Sequence, residues 1–415
     1  MKTIYALSAS LICSVFAVAQ SWHPIDTSNQ RYWDPNFFSA VTVTQSVVYG
    51  SAQTLNNSTQ QLVMDIYEPT GDTVTQRPLL VIAHGGSFVG GGRTDIDVTT
   101  LCNRFAKMGY VCASIDYRLG IGFPVDSVNA TKAVIRAVQD MKAAIRFFRK
   151  DALTNGNTYR IQPNYIFAGG SSAGAFMGLH LAYLDKNSEI PSWINISTLG
   201  GLDGNSGNPG YSHHVNGVIN LCGALGDSSW IEPNDVPFVS VHGNQDQTVP
   251  YNTAMIYIGS FPIMVVDGSS SLKVRATNSL TPNTYYQFNG ADHVPYAGTS
   301  PTAVAYMDTT AEIVKTFLRP LLVQPSTTGF QEEIKGVEFS LYPNPAYEYF
   351  NIAVNNENGL KYDAVLLDAS GKSVLHSVIE QGYAHFSGIH LAPGLYLLQL
   401  KGEDGSVSAK KVVIR

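Results

Sequence analysis

Tyr165-Ile-Phe-Ala-Gly-Gly-Ser-Ser-Ala-Gly-Ala175 is the stretch on which the reading of this chain turns. An apolar, aromatic run at 165–168 meets two glycines and two serines, then gives way to Ala173, Gly174, Ala175, Phe176, Met177 and Leu179. Strand becomes helix within a few residues. A serine at the apex of so sharp a turn needs glycine on both sides, because a larger side chain collides with the adjoining strand or helix. Gly170-Ser-Ser-Ala-Gly174 satisfies a Gly-x-Ser-x-Gly frame with Ser172 in the centre; with Ser171 central, Ala173 stands where the second glycine belongs. Ser172 is therefore the predicted nucleophile and Ser171 a bystander. A cluster of glycine and serine is also the composition of an ordinary loop, so the rest of the chain must supply a base, an acid and donors for an oxyanion.

The chain has 415 residues, 44% hydrophobic and 14% charged, which suits one large core and a smaller unit beside it. A net charge of -6 without a polybasic tract offers no field for nucleic acid or anionic lipid. A polyanionic substrate is disfavoured for the same reason. Lys2, a mostly apolar run and Ala17-Val18-Ala19 give residues 1–19 the pattern of a secretory signal peptide, cleaved before Gln20. The run falls short of the roughly 20 residues a membrane span needs, so no transmembrane segment is expected in the mature chain. Cys13 belongs to the signal; Cys102, Cys112 and Cys222 are too scattered for a zinc site or a disulfide framework. Cys102 and Cys112, on a predicted helix and the strand after it, either form the bridge that export permits or are small buried hydrophobes.

Outward from the elbow, strand patterns occupy 41–49, 62–67 and 78–83, the last apolar throughout as a strand buried on both faces should be. It runs into His84-Gly-Gly-Ser-Phe-Val-Gly-Gly-Gly92, a loop whose glycines let backbone N–H groups approach a ligand closely. A helix at 98–108, a strand at 110–117 and a long amphipathic helix from Val128 to Phe148 follow, the last with Lys132, Arg136, Lys142, Arg146 and Arg149 between its apolar positions. Past the elbow, residues 187–214 are rich in glycine, asparagine and serine, too long and polar for a mere connector, and are assigned to the substrate rim. No apolar helical lid is expected there. Strands at 217–222, 237–242 and 284–288 and a helix at 301–322 complete the unit. The alternation predicts an α/β fold with a mostly parallel sheet and helices on both faces. Residues 323–338 read as a linker. From 339 to 415 only short strands remain, at 350–354, 362–367, 373–378, 395–400 and 407–414, which predicts a small β-sandwich. The domains are thus a signal peptide (1–19), a catalytic α/β domain (20–322), a linker (323–338) and a C-terminal sandwich (339–415).

An elbow of this kind takes its partners in the chain order serine, acid, histidine. After Ser172 the histidines outside the sandwich are His180, His213, His214, His242 and His293, of which His180 lies in the elbow helix and His242 in a strand end. Only His293 follows an acid at a strand end, Asp246, just past Val239-Ser-Val-His-Gly243. Asp203, Asp227, Asp235 and Asp267 are read as loop residues without a strand directly before them, and Asp292 is too near His293 to turn its carboxylate onto the same ring. The expected roles are proton transfer by His293 and orientation of that imidazole by Asp246. The expected oxyanion donors are the N–H groups of Ala173, Gly86 and Ser87.

His84-Gly-Gly-Ser-Phe, Ser114-Ile-Asp-Tyr-Arg-Leu, Gln139-Asp-x-x-Ala-Ala-Ile-Arg-Phe, Gly170-Ser-Ser-Ala-Gly-Ala, His242-Gly-x-x-Asp-x-x-Val-Pro and Asp292-His-Val-Pro together resemble the α/β-hydrolase carboxylesterases over about residues 40–322. The resemblance implies a serine esterase without metal or other cofactor. One departure is Ser87, where the lipase-type loop has a third glycine; it keeps the backbone donor and narrows the pocket floor. A serine peptidase of the same fold usually has a second glycine where Ala175 stands, and a catalytically dead fold would not keep Ser172, Asp246 and His293. The implied substrates are feruloyl or acetyl esters on polysaccharide, with lipid or polyester as the alternative. Phe88, Trp230 and Tyr251 are candidates to stack on an aromatic acyl group. Phe339-Ser-Leu-Tyr-Pro-Asn-Pro, Leu366-Leu-Asp-Ala-Ser-Gly-Lys, Pro393-Gly-Leu-Tyr-Leu-Leu-Gln-Leu and the terminal Lys410-Lys-Val-Val-Ile-Arg resemble the C-terminal sorting domains of the type IX secretion system. That resemblance implies the secretion machinery as partner and a destination beyond the outer membrane of a Gram-negative cell, released or surface-attached; the alternative is a carbohydrate-binding or spacer sandwich.

The frame of the elbow is directly testable. Ser172→Ala is expected to lower kcat by several orders of magnitude in a folded protein, while Ser171→Ala does far less; equal impairment in a steady-state ester assay would refute the frame.

Overall fold

The computed structural model describes residues 25–322 and, between 339 and 414, all but 345, 347–348, 355–359, 369–371, 381, 388–390 and 404–406. The predicted signal peptide and linker lie outside the described residues. The chain divides into two compact units, 1–329 and 330–415.

In the first unit, β1 (Val41–Gln53) and β2 (Thr59–Pro69) form an antiparallel pair, and β3 (Arg77–Ala83) follows. Then come α1 (Ile96–Met108), β4 (Val111–Ile115), α2 (Ser127–Thr154), β5 (Ile161–Ser171), α3 (Ala173–Tyr183) and β6 (Gly217–Leu221). The short β7 (Ala224–Leu225), β8 (Phe238–Gly243), the hairpin β9 (Thr253–Ile258) and β10 (Phe261–Gly268), α4 (Ser269–Ser279), β11 (Asn283–Phe288) and α5 (Pro301–Leu321) complete it. Eight strands make one sheet in the order β1-β2-β4-β3-β5-β6-β8-β11, antiparallel through β4 and parallel from there on. This is the predicted α/β architecture.

Alternation along β3 separates its two cores. Leu79 and Val81 pack with Met141, Ala144 and Met177 of α2 and α3, whereas Leu80 and Ile82 pack with Leu101, Phe105, Val314 and Leu318 of α1 and α5. Successive side chains of a strand point to opposite faces, so a run apolar at every position needs a helix layer on each side. Helix ends follow local chemistry: Asp126 accepts the N–H of Asn129 at the start of α2, and Gly109, at φ +112°, closes α1 in the left-handed conformation.

Two expectations change here. The polar side of α2 is not a solvated face: Arg136, Lys142, Arg146 and Arg149 are all buried. Residues 199–214, expected at the substrate rim, lie across that side and supply backbone carbonyls to it. Gln139 donates to the carbonyls of Leu199 and Gly201, Lys142 to Leu202, Arg146 to Asp203 and Gly207, and Arg149 to Ser212 and His214. A glycine-rich segment suits this role because its carbonyls are not screened by side chains. Burial pulls the pKa of Arg149 down, yet it remains a cation at neutral pH. Cys102 and Cys112 are free thiols, both buried, the second of the two alternatives.

A third change is the hairpin β9–β10, which carries no periodic signal strong enough to stand out from its surroundings. It pairs with β7 through Asp267 and Gly268, so Asp267 lies in a strand and not in a loop. Residues 253–266 contain no charged side chain. Of their apolar residues, Ile263 and Val266 turn inward and Met255, Tyr257, Phe261 and Val265 outward.

The second unit holds two antiparallel sheets, one of β12 (Phe339–Tyr342), β13 (Tyr349–Val354) and β16 (Tyr383–Ser387), the other of β14 (Tyr362–Leu367), β15 (Ser373–Ile379), β17 (Gly394–Gly402) and β18 (Val407–Ile414). Phe350, Ile352, Leu366, Leu398, Leu400 and Val412 share one core, as the predicted sandwich requires. β12 and β16 were not among the strands expected. Among the described residues no helix is long and apolar enough to cross a membrane.

Arg149 tests the buried-cation arrangement. Arg149→Leu strands the carbonyls of Pro163, Ser212 and His214 and is expected to cost roughly 3 kcal/mol in urea unfolding, whereas Lys132→Ala stays within about 0.5 kcal/mol.

Candidate active site

The elbow is as tight as its glycines imply. Ser172 sits between β5 and α3 with φ +52° and ψ -115°, a conformation that non-glycine residues rarely adopt. A Cβ on Gly170 or on Gly174 would lie 2.0 Å from the carbonyl oxygen of Ala83, at the end of β3. Three backbone segments meet there with no room for a side chain. The meeting point also brings the loop after β3 to the serine: a Cβ on Gly85 would stand 3.1 Å from Cβ of Ser172. Tyr117 pins this loop by donating to the carbonyl of His84 at 3.0 Å and stacking on its ring at 4.3 Å. Within the loop, Val89 and Gly90 N–H both return to the carbonyl of Gly86, and Ser87 and Phe88 have positive φ.

His293 Nε2 lies 2.8 Å from Ser172 Oγ, and His293 Nδ1 lies 2.6 Å from Asp246 Oδ2. Asp246 follows β8, and its side chain is wholly buried. Its other oxygen, Oδ1, accepts the N–H groups of Thr248 and Val249, each at 2.8 Å. Burial opposes ionisation of this carboxyl, but hydrogen bonds from His242 and His293, the His293 charge and the Val249 N–H outweigh it and hold the pKa well below the usual carboxylate range. Asp246 thus stays ionised wherever a histidine titrates. An ionised carboxylate only accepts, so Nδ1 of His293 carries its proton and Nε2 presents a lone pair to the serine hydroxyl.

The other residues singled out from the sequence separate. Ala173 is the first residue of α3, so its N–H has no carbonyl four residues back in the helix. Ser87 lines both the cleft on one side of Ser172 and the open groove on the other; Gly86 lines the groove. Ser171 is buried, with Oγ 3.0 Å from the Tyr296 hydroxyl, and lines the groove. Phe88 and Trp230 line the cleft. Tyr251 does not: its hydroxyl is engaged with Tyr285 and Gln287, and its ring meets His242 edge-on at 5.7 Å. His213 and His214 belong to the segment that covers α2 and do not line the cleft.

Cleft and groove differ in chemistry. The cleft is walled by Phe88, Val134 and Ile135, Phe176, Trp230 and the inner side of the hairpin. Its one buried imidazole, His180, is occupied: Nδ1 donates to the carbonyl of Phe176 and Nε2 accepts the Gly226 N–H, with burial pulling its pKa down to about 4. The groove is lined by Asp95, Asp97, Thr248, Val294 and Ala297. The hairpin, His242 and Thr248 were not found from the sequence, although His242 opens the motif that supplied Asp246.

Cys222 Sγ, a carboxylate oxygen of Asp246 and a ring nitrogen of His293 lie within 4.8 Å of one another. They fit a metal poorly. Burial pushes the Cys222 thiol up to about 12, so it stays protonated, and both other groups are engaged in the hydrogen bonds just described.

Residues 64–226 match the BD-FAE family model, and residues 340–415 match the model of the secretion system C-terminal sorting domain. No curated protein matches the sequence. Among solved structures, the propionate-bound esterase Est2 of the Planctomycetes species Thermogutta terrifontis is 21% identical with a TM-score of 0.48, covering 68% of this chain and 96% of its own. Its butyrate-bound form is 20% identical, with a TM-score of 0.49 and coverage of 68% and 95%. Thermogutta terrifontis esterase 2 phosphorylated by paraoxon is 22% identical, with a TM-score of 0.48 and coverage of 69% and 96%. By these two matches the chain carries a BD-FAE domain, of esterase-like α/β-hydrolase type, over residues 64–226, which makes it a carboxylic ester hydrolase, and over residues 340–415 a type IX sorting domain, which marks it as secreted or surface-borne in a Gram-negative bacterium.

Proposed function

We propose that the chain hydrolyses carboxylic esters through an acyl-enzyme on Ser172, with His293 as general base and acid and Asp246 as the group that orients it. The observation that carries this reading is the continuous hydrogen-bonded series from Ser172 Oγ through both nitrogens of His293 to Asp246 Oδ2. As Oγ attacks the ester carbonyl, its proton passes to Nε2 and the carbonyl oxygen becomes an oxyanion. The N–H groups of Ala173, Gly86 and Ser87 serve as its donors, each contributing on the order of 3 kcal/mol to the barrier reduction. Collapse breaks the bond to the alcohol, which leaves with the proton from Nε2. A water then gives a proton to the same nitrogen, attacks the acyl carbon and releases the acid, restoring the serine.

The acyl group occupies the apolar cleft and the alcohol the open groove. An aromatic acyl group, feruloyl among them, suits walls of Phe88 and Trp230 better than acetyl does. Lipid or polyester is the second reading, supported by the uncharged hairpin over the cleft. The sandwich at 339–415 acts in export, its partner being the secretion machinery, and the esterase unit is complete without it.

The test measures kcat/KM for methyl ferulate, short and long p-nitrophenyl esters and acetylated xylan, from pH 5 to 9. Activity is expected to fall at acid pH with the uptake of one proton, because only neutral His293 accepts the serine proton. His293→Ala is expected to remove that limb with most of the activity, and Asp246→Asn to cost about 10⁴-fold. A His293→Ala enzyme with near-normal rates and the same limb would show that another group is the base. Ending the chain at Leu322 is expected to leave kcat unchanged while abolishing export in the native host; loss of kcat would show that the sandwich helps build the site.

A further inference from the structure

Beyond the three residues of that relay, a second histidine stands on the same carboxylate. His242, the fifth residue of β8, is fully buried; its Nε2 lies 3.0 Å from Asp246 Oδ2, the oxygen that also receives His293 Nδ1. Its Nδ1 lies 2.8 Å from Ser269 Oγ, at the first residue of α4. Ser269 Oγ is in turn 3.0 Å from Asn220 Nδ2, on β6, which also reaches Ser240 Oγ at 2.8 Å. Asn220 and Ser269 are likewise fully buried.

The amide at the far end of this chain orients the hydrogen bonds along it. Gly223 N–H donates to Asn220 Oδ1 at 2.9 Å, which fixes the orientation of that amide. Asn220 Nδ2 therefore donates to Ser269 Oγ, and the Ser269 hydroxyl proton is free to be given to His242 Nδ1. With that proton supplied by Ser269, His242 carries its own on Nε2, directed at Asp246. From this we infer that His242 is a positioning residue for the reaction, oriented with Nε2–H toward Asp246 by Ser269 and Asn220, which shares the Asp246 oxygen with His293 and so sets how strongly that carboxylate favours the His293 imidazolium. The inference rests on the reading of Ser172, His293 and Asp246 given above.

Two donors on one carboxylate oxygen spread its charge, and removing one makes the oxygen a better partner for the other. The charged and titratable groups around the pair are few. Asp246 faces His242, His293 and the Cys222 thiol; His293 also has Asp292 in its own loop and Asp95 and Asp97 across the groove; His242 faces the Tyr251 ring. None of these replaces the Nε2–H of His242 on Oδ2.

The experiment compares His242→Met, which keeps bulk without a donor, with His242→Gln, whose amide nitrogen stands near the place of Nε2. In His242→Met the acid limb of kcat/KM is expected to move to higher pH by about half a unit or more, with kcat about tenfold lower. In His242→Gln the limb is expected to return to its wild-type position. A packing role alone lowers kcat in both variants and leaves the limb in place. ¹⁵N NMR of histidine-labelled wild-type protein supplies the second readout and does not depend on a variant folding: His242 is expected to show the Nε2–H tautomer at the pH of maximal activity. An unmoved limb in His242→Met, an equal shift in His242→Gln, or an Nδ1–H or doubly protonated His242 would overturn the inference. Retention of the acid limb in His293→Ala would instead refute the underlying relay, whatever the His242 spectrum shows.

Discussion

The carbonyl oxygen of Ala83 is the point through which the whole site is built. It ends β3, and both elbow glycines approach it so closely that a Cβ on either would overlap it at 2.0 Å. Strand β5, helix α3 and the loop after β3 are consequently locked together, and Ser172 is held at positive φ at an expense of about 1–3 kcal/mol. Two helix layers offset that strain. α2 and α3 on one face and α1 and α5 on the other bury alternate residues of β3, so the strained turn is fixed from both sides.

Buried charge follows one rule in two places and to different ends. Behind the sheet edge, the cations of α2 are satisfied by carbonyls of a glycine-rich segment, an arrangement that fastens residues 199–214 to the helix. At the site, the carboxylate of Asp246 is satisfied by two backbone N–H groups and two imidazoles. In both, a buried charge is tolerated because polar groups of the fold, and not water, are turned onto it. Only the second leaves a reactive atom facing open space, the lone pair of His293 Nε2 beside the serine.

The polar and apolar sides of Ser172 divide the substrate in the same way. An uncharged hairpin and the aromatic rings of Phe88 and Trp230 enclose one side, while two aspartates border the other. Secretion adds a separate requirement, met by a unit whose two small sheets bury their own core and match the sorting-domain model.

The elbow, the apolar central strands and the order of the strands and helices around them were legible in the chain. Each rests on local rules: the steric demand for glycine beside a strained serine, and the periods of strand and helix. Chain order singled out Asp246 and His293, and the fold brings both to Ser172 by hydrogen bonds spanning 121 and 47 positions. Other features depended on partners that no local pattern names. Lys142, Arg146 and Arg149 have the spacing of a solvated helix face, and only the return of residues 199–214 across α2 makes them buried donors. Tyr251 has the composition of an acyl-pocket wall but is turned onto Tyr285, Gln287 and His242 by the pairing of β8 with β11. His242 read as a strand residue because its role requires Asp246, Ser269 and Asn220, from three further elements, to meet at one ring. Sequence alone therefore determined what backbone sterics and periodicity impose, and tertiary structure decided which polar atoms share a buried hydrogen bond, because that depends on distances between segments far apart in the chain.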